Sequence, residues 1–180
     1  MKLGILRISD IALNLLQRVC ENLNMAFLGS ECEIISGALV LPPEAFDKSR
    51  RQYRSDIILG LVKNYAYKTP TYDRVLGVVD VDVYVPGLNF VFGEAECPGK
   101  AAIISLWRLR PEFYGSSPNF EVFVERSTKE AVHELGHTLG LAHCVNPFCV
   151  MYFSNSIFET DRKKSLFCNK CYSKVQISLG

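Results

Sequence analysis

No stretch of these 180 residues approaches the 18 uninterrupted apolar positions of a membrane-spanning helix, so no membrane partner is expected. A secretory signal is missing as well. Arg7, Asp10, Gln17 and Arg18 break the apolar N-terminal stretch, and no small-residue cleavage site follows it. The expectation is a cytoplasmic monomer with reduced thiols. The formal net charge is only +1, which gives no electrostatic footprint for nucleic acid. The basic cluster Lys48, Arg50, Arg51 and Arg54 reads as a solvated helix face. Internal repeats and low-complexity segments are absent. Histidine is scarce, with three in the whole chain.

All three fall in one run, His133-Glu134-Leu135-Gly136-His137-Thr138-Leu139-Gly140-Leu141-Ala142-His143, of the form H-E-x-x-H-x-x-G-x-x-H. Two histidines four apart on a helix project from one face and can reach one metal. His143 could not join them on a continuing helix, because six more residues at about 100° each carry it roughly 240° away. The helix must stop, and Gly140 is where the chain can take the left-handed conformation that ends it. Three neutral imidazoles then hold Zn²⁺ and leave a fourth position for water. Glu134, beside the first ligand, can serve that water as general base. The short H-E-x-x-H form can arise by chance on a solvated helix face. The added glycine and third histidine, each where the geometry demands it, make accident a poor explanation.

The rest of the chain fits one domain with a substantial core. Residues 2–8 read as a strand, and Ser9 and Asp10 as caps of a helix running to about residue 26. Residues 31–41 read as a second strand, 44–54 as a charged connection or helix start, and 55–67 as a helix. The run 74–85 is the strongest strand signal, with Asp80 and Asp82 interleaved. Residues 89–95 suit an edge strand, and 101–107 another strand. Ser116 to Asn119 starts a long helix whose core face carries Phe120, Phe123, Val124, Ser127, Ala131, Leu135 and Leu139. His133 and His137 lie on a different face. Strand and helix alternate first and strands follow strands later, which predicts a mostly parallel sheet with one antiparallel edge in an α+β chain.

Four of the seven cysteines, Cys144, Cys149, Cys168 and Cys171, crowd into the last 37 residues as C-x4-C and C-x2-C. Such spacings can close a tetrahedral four-cysteine zinc site. An iron–sulfur cluster is the next contender, and free thiols or disulfides fit the spacing and the reducing compartment less well. Cys20, Cys32 and Cys97 read as core thiols, and Met151 on its own as a core methionine.

The run HELGHTLGLAHC, then CVMYFSNS, then FCNKC resembles the archaemetzincins of the metzincin clan of metalloproteases. The stretch VLGVVDVDVYVPGLNFVFGEA is similar too, so the resemblance spans about residues 75–175. It implies a small zincin, with a twisted mixed sheet above the cleft, flanking helices, and a short zinc-clipped lobe below. On that reading residues 1–142 form the upper part and 143–180 the lobe. His133, His137 and His143 would ligate the catalytic zinc, Glu134 would be the base, and Met151 the Met-turn residue. Cys144, Cys149, Cys168 and Cys171 would hold a second zinc, two per chain. No departure from the family's motifs is present, although no pro-segment of the kind that keeps a protease latent is evident.

The activity expected is hydrolysis of a peptide or protein substrate lying extended along the sheet edge. A rival from another class is a zinc-stabilised binding module with little turnover, and a third option is hydrolysis of a non-peptide amide. Glu134 speaks against a pure ligand site, which has no use for a base.

Overall fold

The computed structural model describes residues 1–179, and side chains as far as residue 176; Gly180 of the expected lobe lies outside the described residues. Its centre is a sheet of five strands in the order β2 (Glu31–Leu39), β1 (Lys2–Ile8), β5 (Arg74–Val79), β8 (Ala101–Ser105) and β7 (Gly93–Ala95). The first four run parallel, and β7 pairs antiparallel with β8 at one edge, as the element order predicts. Parallel strands are covered on both faces, and β5 and β8 are accordingly almost wholly buried.

On one face lie α1 (Leu13–Ala26) and α3 (Phe120–Thr138), with Leu15, Leu16, Val19, Leu23, Val124, Ala131 and Leu135 packed against Leu3, Ile5, Leu76 and Ile104. On the other lies α2 (Ser55–Lys68), whose Ile58, Val62 and Ala66 cover Leu6, Ile8, Val79 and Ile103. Each Val, Leu or Ile among them, fully buried, contributes about 1.5–3 kcal/mol. Two short helices, α4 (Ile157–Arg162) and α5 (Asn169–Leu179), follow α3 and form the C-terminal lobe. Among the described residues no helix is long and apolar enough to cross a membrane.

Several local expectations give way. Ser9 and Asp10 do not cap α1; Ala12 holds the cap position without a side-chain bond. Ser9 instead takes a positive φ of 89° as the chain leaves β1, and its N–H donates to the Leu39 carbonyl. Residues 44–54 form no α-helix and no plain connection: a single 3-10 turn at Pro43–Ala45 gives way to extended chain. They build a hairpin, β3 (Phe46–Asp47) and β4 (Gln52–Arg54), which pairs with β6 (Val83–Tyr84) in a second, three-stranded sheet. The cause is Asp47, whose Oδ1 accepts the N–H groups of Ser49 and Arg50 and so offers the backbone a turn in place of a helix. Lys48, Arg50 and Arg51 therefore sit on that turn, and Arg54 pairs with Asp56.

The run 74–85 breaks into β5 and β6 because Asp80 and Asp82 turn outward to Arg110 and Arg108. Phe120 opens α3 but stays 41% exposed, in the first turn beyond the core. Cys20 and Cys32 are not free core thiols. The packing of α1 on β2 brings their Cα atoms to 5.4 Å, and they form a disulfide. Cys97 is exposed rather than buried.

Candidate active site

The helix α3 begins at Asn119, whose side chain accepts the N–H of Val122, and runs under the sheet towards β7. Its last two turns carry His133, Glu134 and His137. The helix then ends as the motif requires. Gly140 takes φ +84°, its N–H donates to the His137 carbonyl, and the N–H of Leu141 donates to that of Gly136. This paired closure is the Schellman motif. Released from the helix, the chain turns back and delivers His143. One nitrogen from each of His133, His137 and His143 lies within 4.8 Å of the other two.

Two carbonyls decide how these rings are protonated. His133 Nδ1 lies 2.8 Å from the Val150 oxygen, and His137 Nδ1 lies 2.6 Å from the Leu141 oxygen. A carbonyl can only accept, so each Nδ1 carries the hydrogen and each Nε2 is left as a bare lone pair. Those two Nε2 atoms face one another at 3.1 Å. Two lone pairs at that separation repel unless a cation lies between them, and imidazole suits zinc. Burial, with the charge of Lys163 next, holds His133 well below the usual histidine range. Burial likewise lowers His137 and His143. All three rings are therefore neutral near pH 7, the form that binds metal.

Glu134 is 6% exposed at the floor of a 640 Å³ cleft. Burial, then the neighbouring Glu130 carboxylate, pushes it well above the usual carboxylate range, while Lys163 pulls it back. Lys163 comes from the end of α4, is wholly buried, and pairs with Glu130 Oε1 at 3.0 Å; Thr160 donates to the same oxygen. The roof of the cleft is the segment from Leu88 to Ala95, and Phe153, Ser154 and Asn155 form its lower rim. At the roof, β7 turns the N–H groups of residues 94 and 96 towards β8. Alternation in an antiparallel pair directs those of Gly93 and Ala95 outward to the cleft.

Below α3 the four sulfurs of Cys144, Cys149, Cys168 and Cys171 also gather within 4.8 Å. Backbone N–H groups of Asn146 and Cys168 point at the sulfurs of Cys144 and Cys149 at 3.5 and 3.3 Å. Four sulfurs with backbone donors aimed at them match a closed thiolate zinc site. Met151 is fully buried against the active-site helix. A Cβ on Gly136 would fall 2.5 Å from its sulfur, so any larger residue there would displace Met151.

His133, Glu134, His137 and His143 thus meet at the cleft, the four cysteines gather below α3, and Met151 lies against that helix. Sequence reasoning missed Gly93, Gly136, Glu130 and Lys163. A glycine inside a strand pattern is a signal of close backbone approach, and Gly93 carries it. Glu130 and Lys163 carry none, since charged residues amid polar neighbours look solvated.

Comparison with known proteins agrees with this geometry. The sequence matches the model of peptidase family M54 over residues 11–177. It is 52% identical over 146 residues to the archaemetzincin of Methanocaldococcus jannaschii, covering 81% of this chain and 77% of that one. It is 40% identical over 182 residues to that of Pyrococcus furiosus, covering 96% and 91%. Among solved structures, the archaemetzincin of Methanopyrus kandleri superposes with a TM-score of 0.85 at 38% identity, covering 99% of this chain and 95% of that one. A zinc-dependent peptidase from Methanocorpusculum labreanum gives 0.87 at 31%, covering 96% and 99%.

Proposed function

We propose, from the premise that the chain belongs to peptidase family M54 and is a zinc metallopeptidase of archaemetzincin type, that Glu134 is its general base. His133, His137 and His143 hold the catalytic zinc, and Cys144, Cys149, Cys168 and Cys171 a second, structural one. The chain divides at about residue 142 into an upper part with the sheet and α3 and the lobe that clips it from below.

The substrate is a peptide or protein segment laid extended in the cleft, its backbone paired with the outward groups of Gly93 and Ala95. When bound, zinc supplies Lewis acidity, which makes water a nucleophile near neutral pH and polarises the scissile carbonyl. Glu134 accepts the proton of the attacking water and hands it to the leaving nitrogen as the C–N bond breaks and the new C–O bond forms. Its burial keeps competing water from solvating it, and the Lys163–Glu130 pair fixes the turn of helix just before it. The Nδ1 contacts with Val150 and Leu141 hold two ligand rings in one tautomer throughout.

One observation carries this reading: a buried carboxylate sits between two histidines whose lone pairs converge, directly under an unpaired strand edge. Glu134→Gln tests it. Peptide hydrolysis should fall by roughly 10²–10⁴-fold, while zinc content stays at the parent level because the imidazoles are untouched. Equal turnover by the mutant and the parent removes Glu134 as the base.

A further inference from the structure

The outer part of the roof is a loop, Val85 to Phe92, and eight residues of loop over a binding site need something to hold them. Val85 to Phe92 has little secondary structure of its own: Leu88 N–H closes a turn onto Val85, and Val91 N–H reaches Val83 in β6. The Phe92 carbonyl accepts the N–H of Ser105 in β8, and the Phe92 ring is buried in the main core. The carbonyls of Leu88 and Asn89 are held instead by side chains on and beside the small second sheet. Arg50 Nη2 donates to the carbonyls of both Leu88 (2.9 Å) and Asn89 (3.0 Å), and its Nε donates to Gln52 Oε1. Gln52, 7% exposed, donates in turn to the Asn89 carbonyl and to Asp82. Asp82 accepts a two-pronged bond from Arg108, whose guanidinium lies 4.3 Å from the centre of the Phe90 ring. The plane of Arg50 stacks on Tyr84 at 4.0 Å, and Tyr84 donates to Asp47, the residue that sets the hairpin turn.

We infer that Arg50, with Gln52 behind it, is a positioning residue for substrate. It ties the carbonyls of Leu88 and Asn89 to the three-stranded sheet, and so fixes the height of the roof and the edge at Gly93 and Ala95 above the metal-binding histidines. The second sheet then has a role. It is a bracket for the cleft, and a lysine cannot reproduce a guanidinium that holds two carbonyls through Nη2 while its Nε donates to Gln52 and its carbon lies over the Tyr84 ring. This inference rests on the reading of Gly93 and Ala95 as the substrate-pairing edge.

The test uses the zinc-loaded full chain and two probes: acetohydroxamate, which reaches only the metal, and a peptidyl hydroxamate long enough to lie along the edge. Arg50→Ala should weaken the peptidyl probe about tenfold, the worth of one charged hydrogen bond, and leave acetohydroxamate affinity unchanged. Arg50→Lys should recover little of the loss. Hydrogen exchange without any probe should show faster amides at residues 88–92, with α3 unaffected. Unchanged exchange overturns the bracket. Faster exchange with unchanged affinity for the peptidyl probe overturns its role in binding, as does equal weakening of both probes. If the parent itself binds acetohydroxamate but not the peptidyl probe, the edge reading fails, and exchange still decides whether Arg50 holds the roof.

Discussion

Replacing Gly93 by alanine adds a single methyl group at the most crowded point of the cleft. The new Cβ would lie 2.6 Å from Glu134 Cγ, 2.7 Å from its Oε1 and 2.6 Å from the Ile103 carbonyl oxygen. Ordinary contact starts near 3.4 Å, so about 0.8 Å must be found. The Ile103 oxygen belongs to β8, buried in the middle of the sheet, and cannot retreat without tearing the β7 ladder. Glu134 and β7 must share the displacement. Overpacking of this kind costs about 1–3 kcal/mol of stability, which a chain with two buried cores on its main sheet can absorb. Catalysis cannot absorb it. Misplacing a reacting group by about 1 Å costs on the order of 10²-fold in rate. Gly93→Ala should therefore stay folded and keep both zincs while kcat/KM falls about a hundredfold. Steady-state kinetics on a fluorogenic peptide, with zinc measured by elemental analysis on the same sample, checks this. A mutant within threefold of the parent would show that the base does not depend on this contact, and loss of the catalytic zinc would place the damage at the histidines.

Three further outcomes are expected. The parent chain should carry two zincs, and Cys168→Ser should lose both the structural ion and affinity for the catalytic one, because Cys144 adjoins His143 and its N–H donates to the Met151 carbonyl; iron in that site, or a mutant of full activity and thermal stability, contradicts the assignment. Ala95→Pro removes an N–H that faces the cleft, so KM should rise several-fold or more with both zincs retained; an unchanged KM would send the substrate to another edge. Asp47 is held down to about 2 by Ser49 and Tyr84. Because its folded pKa lies below the unfolded value of about 3.9, its contribution to the hairpin is complete above about pH 5 and fades as pH falls towards 2. A carboxyl titration followed by NMR that places its midpoint near 4 would refute this.

The three-histidine cluster was legible because its geometry is local. A helical spacing of four, a glycine that can take positive φ and a third histidine just beyond it specify their own fold within eleven residues. The mixed sheet and its antiparallel edge were legible from strand order, although the edge strand expected over residues 89–95 is confined to Gly93–Ala95. What escaped depends on partners distant in sequence. Nothing in residues 44–54 reveals that they pair with residues 83–84, and the Asp47 turn that decides against a helix is a competition settled by one side chain. The pairing of Cys20 with Cys32 needs the helix α1 to pack on β2 before the two sulfurs meet. Lys163 stands in the run Asp161-Arg162-Lys163-Lys164, which reads as solvent-facing throughout, yet its side chain ends up wholly buried against Glu130.

The carbonyls of Val150 and Leu141 that orient the two histidines on α3 belong to the main chain, and this shapes how the site tolerates genetic change. No codon substitution deletes a carbonyl. The layer behind these ligands is therefore invisible to an ordinary point-mutation scan of its own side chains, in contrast to sites where a carboxylate plays that part. It can be damaged only by rerouting the chain. Sensitivity should accordingly gather at the residues that set the path, Gly136, Gly140 and the four cysteines, whereas Leu141 and Val150 accept other apolar side chains of similar size.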